Sequence, residues 1–526
     1  MDNRLVDATW TYHNGTKHSD QSVRTSAHFL DWPNQPLLFK VYSTLKPIPL
    51  PGDLAPPAMP ALVAIGASGA GPPGPHVSDL RTLAGILFFS AGITRRRAVH
   101  GGEILFRAAA CTGALYHIEL YLVCGDLPDL GAGVYHFGVH DFALRKLRAG
   151  DHRGAVVTAT AGEPSIAAAP AIIIGTGTYW RNAWKYQART YRHCFWDTGT
   201  ILANLLAASA AFEVPARIVC GFVDAEVTRL LDLDAEREVA LALVPLGRDR
   251  TSPAVVVPEV GPLGLPTEPL SRTEVDYPAI RAMHAASSLD QDDQVRAWRG
   301  QTPAADRPAP SGHLIPLRPP EDTELPGDSV AQVIPRRGSA RQFAREPITF
   351  AQLSTMLDRS TRGIPSDFLE PAGTTLNDLY LIVHEVEGLP AGAYVFHRDR
   401  QALELLKEGN FRREAGYLGL EQELPADASV NVYFLADLPR ILERFGNRGY
   451  RATQLEAGII GGKLYLSAYA QRLGATGLTF YDDAVTAFFS PHAAGKSVMF
   501  LTALGHPDRA RLGTHARNGS TTRTVP

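Results

Sequence analysis

Three stretches of this sequence carry side chains suited to chemistry. The first, "IPRRGSARQF" (334–343), sets Arg336, Arg337, Ser339 and Arg341 just ahead of a helical pattern. Guanidinium forks and a hydroxyl grip phosphate because they offer paired donors to paired oxygens. A solvated basic stretch before a helix is the plain alternative. The second, "RAAACTGALY" (107–116), is a run of small residues that includes Cys111, Thr112, Gly113 and Ala114. Small residues let backbone approach a flat ligand closely. The third, "RNAWKYQARTYRHCFWDTG" (181–199), packs Arg181, Lys185, Arg189, Arg192 and His193 among Trp184, Tyr186, Tyr191, Phe195 and Trp196. It opens onto the apolar helical pattern "TILANLLAASAAF".

The elements that must position these stretches occur twice. "IELYLVCGDLPDLGAGVYHF" (118–137) matches "NDLYLIVHEVEGLPAGAYVF" (377–396). "ALRKLRAGD" (143–151) matches "ALELLKEGN" (402–410), and "YRHCFWDTG" (191–199) matches "YRATQLEAG" (450–458). All three pairs share one offset of 259 residues. Within each copy a helix is followed by strands, a long apolar helix and a closing strand, the pattern of an α+β layer with one sheet covered by helices. The expectation is two tandem domains, 61–250 and 328–513, joined as an intramolecular pseudo-dimer. An N-terminal arm (1–60), a proline-rich surface linker (251–327) and a disordered tail (514–526) complete the organisation.

Bulk properties narrow the function classes. The 526 residues are 45% apolar and 20% charged, and the formal net charge is -3. That balance gives no reason to expect nucleic acid or an anionic membrane as partner. No apolar run approaches the roughly 18 residues of a membrane helix, and the start lacks the pattern of a secretory signal. Cys111, Cys124, Cys194 and Cys220 lack metal spacing and are expected as buried free thiols of a cytoplasmic protein. The histidines show no HExxH-type pair, so no metal is expected.

The copies differ in complementary ways. Aligned through its following helix, copy one reads "AIGASGA" opposite the arginine stretch. Ile65, Gly66 and Ala70 take the arginine positions and only Ser68 remains. Copy two reads "SDFLEPAGTTLNDLY" opposite the small-residue run. Each copy keeps what the other lacks, which argues for one composite site per chain.

These residues resemble the FMN-dependent nitroreductase superfamily, and more closely the tandem azoline dehydrogenases of the SagB/ThcOx type. The resemblance rests on "TYHNGTKHS", "FSAGITR", "GALYHIELYLV", "LGAGVYHF", "KYQARTYRHCFWDTG", "LLDLDAEREVALALVPLG", "RRGSARQF" and "FYDDAV". It implies one FMN held by Arg336, Arg337, Ser339 and Arg341 from copy two, with Thr476 and Gly477. From copy one it implies Cys111, Thr112, Gly113 and Ala114. Two departures stand out: the loop reads Ala110-Cys111-Thr112-Gly113 where the family has Pro-Ser before the glycine, and His117 replaces a proline.

The resemblance also assigns catalysis to Lys185 and Tyr186. Copy two has Arg444 and Phe445 there, while Arg189, Tyr191 and Arg192 recur as Arg448, Tyr450 and Arg451. Shared residues read as structural and differing ones as candidates for chemistry. Oxidising an azoline ring removes a hydride, which a flavin accepts, and a proton, which needs a positioned base. Lysine kept neutral by burial or by Arg189 and Arg192 would serve, with Tyr186 relaying the proton. Partners implied are an azoline-containing peptide, a cyclodehydratase or carrier protein, and oxygen as acceptor. An NAD(P)H-dependent flavin reductase and a non-catalytic scaffold are the competing readings.

Overall fold

The computed structural model describes residues 2–55, 57–67, 76–99, 102–249, 258–303, 309–508 and 521–523. Each repeat builds one antiparallel sheet. In the first, six strands run in the order 47–49, 143–149, 133–138, 118–124, 171–178 and 238–246. In the second the equivalent order is 314–316, 402–408, 392–397, 378–383, 430–436 and 497–507. Strands 343–344 and 474–477 also pair with 497–507. The central strands 118–124 and 378–383 are buried at every position, so they read as continuous apolar runs rather than alternating ones.

Two long helices, Thr190–Ala211 and Arg448–Ala470, lie back to back between the sheets. They cross at Gly199 and Gly458. A Cβ on Gly199 would stand 2.6 Å from the Gly458 carbonyl carbon, and one on Gly458 would stand 2.6 Å from the Trp196 oxygen. Only glycine lets the backbones approach so closely. The crossing marks the pseudo-twofold axis that the matched stretches 191–199 and 450–458 implied.

The arm and the linker are more than connections. Strand Pro47–Pro49 of the arm and strand Leu314–Pro316 of the linker take the same edge position in the two sheets. The linker also forms helices Pro278–Ala286 and Asp292–Trp298 and buries Ile280, Met283, Val295 and Trp298. The surface linker expected from its polar, proline-rich composition is therefore corrected: its apolar positions anchor it in the core. Of the tail expected to be disordered, Thr521–Arg523 pair antiparallel with strand Ile93–Val99, and the rest lies outside the described residues. No described helix is long and apolar enough to cross a membrane.

Candidate functional site

One large cavity of about 930 Å3 opens between the repeats. All twelve residues singled out from sequence line it: Cys111, Thr112, Gly113, Ala114, Lys185 and Tyr186 from the first repeat, with Arg336, Arg337, Ser339, Arg341, Thr476 and Gly477 from the second.

The small-residue loop is shaped by its clamp. Asp197, on the long helix of the first repeat, accepts from the Thr112 amide (3.0 Å), the Thr112 hydroxyl (2.8 Å) and the Cys111 thiol (3.1 Å). Cys111 Sγ also accepts from the Tyr116 amide, so its side chain is turned into the protein. Burial pushes Asp197 up to about 7, against the pull of these hydrogen bonds. In the second repeat Glu456 performs the same clamp on Thr375, Leu376 and Asn377. Gly113 has φ +64°, and a Cβ there would stand 2.7 Å from Tyr186 Oη. The glycine thus keeps the loop against the tyrosine.

The basic, aromatic stretch divides by role. Arg181 donates to Glu119 (2.7 Å) and to the Tyr116 carbonyl inside the core. Arg189 and Arg192 both reach Asp482 of the other repeat, at 3.1 and 2.7 Å. Their counterparts Arg448 and Arg451 reach Asp224, at 2.5 and 2.6 Å. Arg192 also donates to the His13 carbonyl and Thr16 hydroxyl, and Arg451 to the His284 carbonyl and Ser287 hydroxyl. This symmetry makes the shared arginines cross-repeat staples. Arg189 and Arg192, expected as cations beside Lys185, spend their charges on Asp482 and on the arm.

Lys185 and Tyr186 close the helix Tyr179–Tyr186, half-buried on the cavity wall. Lys185 Nζ lies 5.4 Å from the Tyr186 ring centre. The Tyr186 ring meets His193 edge-on at 4.7 Å. Burial, and then the Asp197 carboxylate, push the Tyr186 phenol up. It stays a donor at neutral pH.

The equivalent position in the second repeat is filled. Arg444 donates to the Gln301 and Arg299 carbonyls, at 3.0 and 2.8 Å. Phe445 packs on Trp298 with centroids 5.4 Å apart, and Trp298 also meets Phe368. Trp298 is 1% exposed. The linker therefore plugs the counterpart of the open cavity. In the first repeat, Ile65 is buried in the core and Gly66 sits against the Arg359 side chain. Ser68 and Ala70 lie outside the described residues.

The arginine stretch differs in detail from a simple phosphate grip. Arg337 donates to the Ala108 and Arg107 carbonyls, at 2.8 and 3.0 Å, and to its neighbour Gly338. It ties the second repeat to the strand end that carries the small-residue loop. Arg336 donates to Asp328 and to the Tyr469 carbonyl, both at 2.8 Å. Ser339 Oγ lies 3.2 Å from Tyr465 Oη, which accepts from the Gly477 amide. Sequence reasoning missed Arg95 and Arg97, which also line the cavity. The signal available was the run of three arginines, Arg95-Arg96-Arg97, within one short strand.

Cys124, Cys194 and Cys220 are buried free thiols, while Cys111 is half-buried. Cys111, His117 and Asp197 place their ligand atoms within 4.8 Å of one another. His117 Nδ1 is 3.4 Å from Asp197. Burial, then Arg181 and Arg107, lower His117 to about 3. The same positive potential works against a cation there.

Comparison with known proteins agrees with this architecture. The Nitroreductase family model matches residues 334–506. A protein of Methanocaldococcus jannaschii, provisionally named a nitroreductase, is 25% identical over 184 residues, 33% of this chain and 89% of its own length. A crystal structure from Anabaena variabilis, provisionally assigned as a nitroreductase, superposes with a TM-score of 0.75 at 26% identity, covering 95% of this chain and 99% of that one. The Escherichia coli microcin synthetase McbBCD complex with truncated pro-MccB17 bound is also similar, at 18% identity over 48% of this chain and 95% of its own, but its TM-score of 0.31 carries no weight. The chain thus carries a nitroreductase-family domain at residues 334–506, within a tandem nitroreductase-like fold that extends over nearly its whole length.

Proposed function

We propose that the chain is an FMN-dependent oxidoreductase that dehydrogenates thiazoline or oxazoline rings in a peptide precursor. One observation carries the reading. Lys185 and Tyr186, present only in the first repeat, stand on the wall of the cavity both repeats build, whereas Arg444 and Phe445 face a plugged counterpart.

The cavity suits a flavin nucleotide. Its volume is near the upper end of the about 300–1,000 Å3 typical of ligand sites. It combines a glycine wall at Gly113, a serine hydroxyl and arginine side chains. Arg341, Ser339 and the Thr476–Gly477 segment would hold the phosphate end, and the 111–114 loop would lie along the rings. A bound flavin would supply the two-electron acceptor. The proton falls to the chain itself. Lys185 Nζ has no hydrogen bond or ion pair among the described residues and faces the cavity, so in its neutral form it would take the ring proton. Tyr186, held protonated by burial, offers a hydrogen-bond donor to the substrate beside it. Aromatisation makes the step downhill, and oxygen serves as final acceptor. Supply of the ring by a cyclodehydratase or carrier protein, in the cytoplasm, fits this chemistry.

Arg337→Ala is expected to weaken flavin binding about tenfold or more, because the charge-assisted bonds it gives the Ala108 and Arg107 carbonyls, each contributing roughly 1.5–3 kcal/mol, hold the strand end that carries the 111–114 loop. Arg336→Ala should be milder, since that side chain is paired with Asp328. Flavin released from each variant measures this.

The activity itself is tested with a synthetic thiazoline peptide in air. The expected product has lost about 2 Da, two hydrogens leaving as hydride and proton. NAD(P)H bleaching of the flavin without ring turnover would instead favour a reductase, and a colourless protein a scaffold.

A further inference from the structure

Strands Ile93–Val99 and Gly102–Arg107 form an antiparallel ribbon beside the cavity, with Thr521–Arg523 on its outer edge. Side chains alternate along a strand, so Arg95 and Arg97 share one face and Arg96 takes the other. The outer Arg96 has a carboxylate partner, Glu103 at 2.5 Å. The inner two do not. Arg95 and Arg97 line the cavity, and neither has an ion pair among the described residues. Arg95 stacks on the Phe106 ring at 4.1 Å, with Arg97 at 5.9 Å from the same ring. Arg97 Nε is buried without a hydrogen-bond acceptor. Burial, then Arg337 and Arg97, lower the Arg95 pKa, which reports crowding of like charge.

Among the described residues no carboxylate pairs with Arg95 or Arg97. Residues 509–526, whose segment Thr521–Arg523 pairs with this ribbon, contain four arginines and no Asp or Glu. The second repeat has no ribbon at this point. Its helix Phe350–Thr361 is followed by a turn segment with isolated bridges only. The arginine pair is therefore special to the first repeat, as Lys185 and Tyr186 are.

We infer that Arg95 and Arg97 form a binding site for a negatively charged group, carboxylate or phosphate, on the ligand that shares the cavity with the flavin. Stacked guanidinium groups present their donor edges in a fixed direction, which suits paired acceptor oxygens. The aromatic platform of Phe106 keeps that edge turned to the cavity. The ligand thus carries an anionic group that reaches this end of the cavity. This rests on the flavin-bearing cavity proposed above but not on ring oxidation.

The test compares matched probes by tryptophan fluorescence at low salt, a readout independent of turnover and of flavin colour. NADPH against NADH isolates a phosphate; hexaglutamate against hexaglutamine isolates carboxylates. The chain should prefer the anionic member of at least one pair by about tenfold or more, and the pair showing it identifies the source. The Arg95→Ala/Arg97→Ala double variant should lose that preference while keeping its flavin and its neutral-probe affinity. The Arg95→Lys/Arg97→Lys variant should retain part of it. The inference is overturned by no preference in either pair, or by a preference that survives in the alanine variant. Loss of flavin from the alanine variant also overturns it, because the pair would then belong to the cofactor.

Discussion

Lys185→Ala is expected to slow azoline turnover by about 10²–10⁴-fold, the usual contribution of a positioned base, while the protein remains folded and yellow. The lysine lies on the cavity wall and holds no structural ion pair among the described residues, so its loss disturbs chemistry rather than packing. Tyr186→Phe should slow turnover less, since it removes one hydrogen-bond donor and keeps the ring that packs on His193. Arg444→Ala is the control, because that side chain binds linker carbonyls at the plugged position. Single-turnover rates on a thiazoline peptide, with flavin content beside them, decide the matter. Full flavin with an unchanged rate in Lys185→Ala would place the base elsewhere.

Asp482→Asn is expected to destabilise the chain by roughly 3–5 kcal/mol, because it leaves Arg189 and Arg192 buried without their counter-charge. Burial raises the Asp482 pKa, but the two arginines outweigh it and hold the carboxyl at about 2. A folded pKa below the unfolded value, about 3.9, contributes stability that is present above pH 4 and lost as pH falls towards 2. Asp224 is depressed in the same direction by Arg448 and Arg451. Urea midpoints between pH 7 and pH 3 should therefore fall less steeply in the variant than in the parent chain. Equal slopes would show that the staple does not govern acid stability.

The sequence displayed the duplication wherever matched side chains kept constant register. Residues 118–137 and 377–396 became equivalent sheet strands, and 191–199 and 450–458 became the crossing helices. The same duplication was hidden in the arm and linker. There the offset shifts to 271, and what survives is His13 with His284 and Thr16 with Ser287, whose main-chain and hydroxyl oxygens meet equivalent arginines. A backbone carbonyl leaves no mark in a sequence comparison, so that conserved role was illegible. The cavity residues were legible because their types were unusual for their places. Arg95 and Arg97 were signalled only as part of a basic run, since folding of the ribbon across the cavity is what gives them a destination. Nor could composition show that Trp298 would fill the second position.

The central claim is that the two repeats build one working flavin site per chain, not two and not none. Direct quantification of FMN released from purified, FMN-saturated protein, against protein concentration from amino-acid analysis, tests it. The account expects a ratio near one, unchanged by Arg444→Ala and lowered by Arg337→Ala at limiting FMN. A ratio near two would mean that Trp298 does not close the second position, and a ratio near zero would contradict the flavin site altogether.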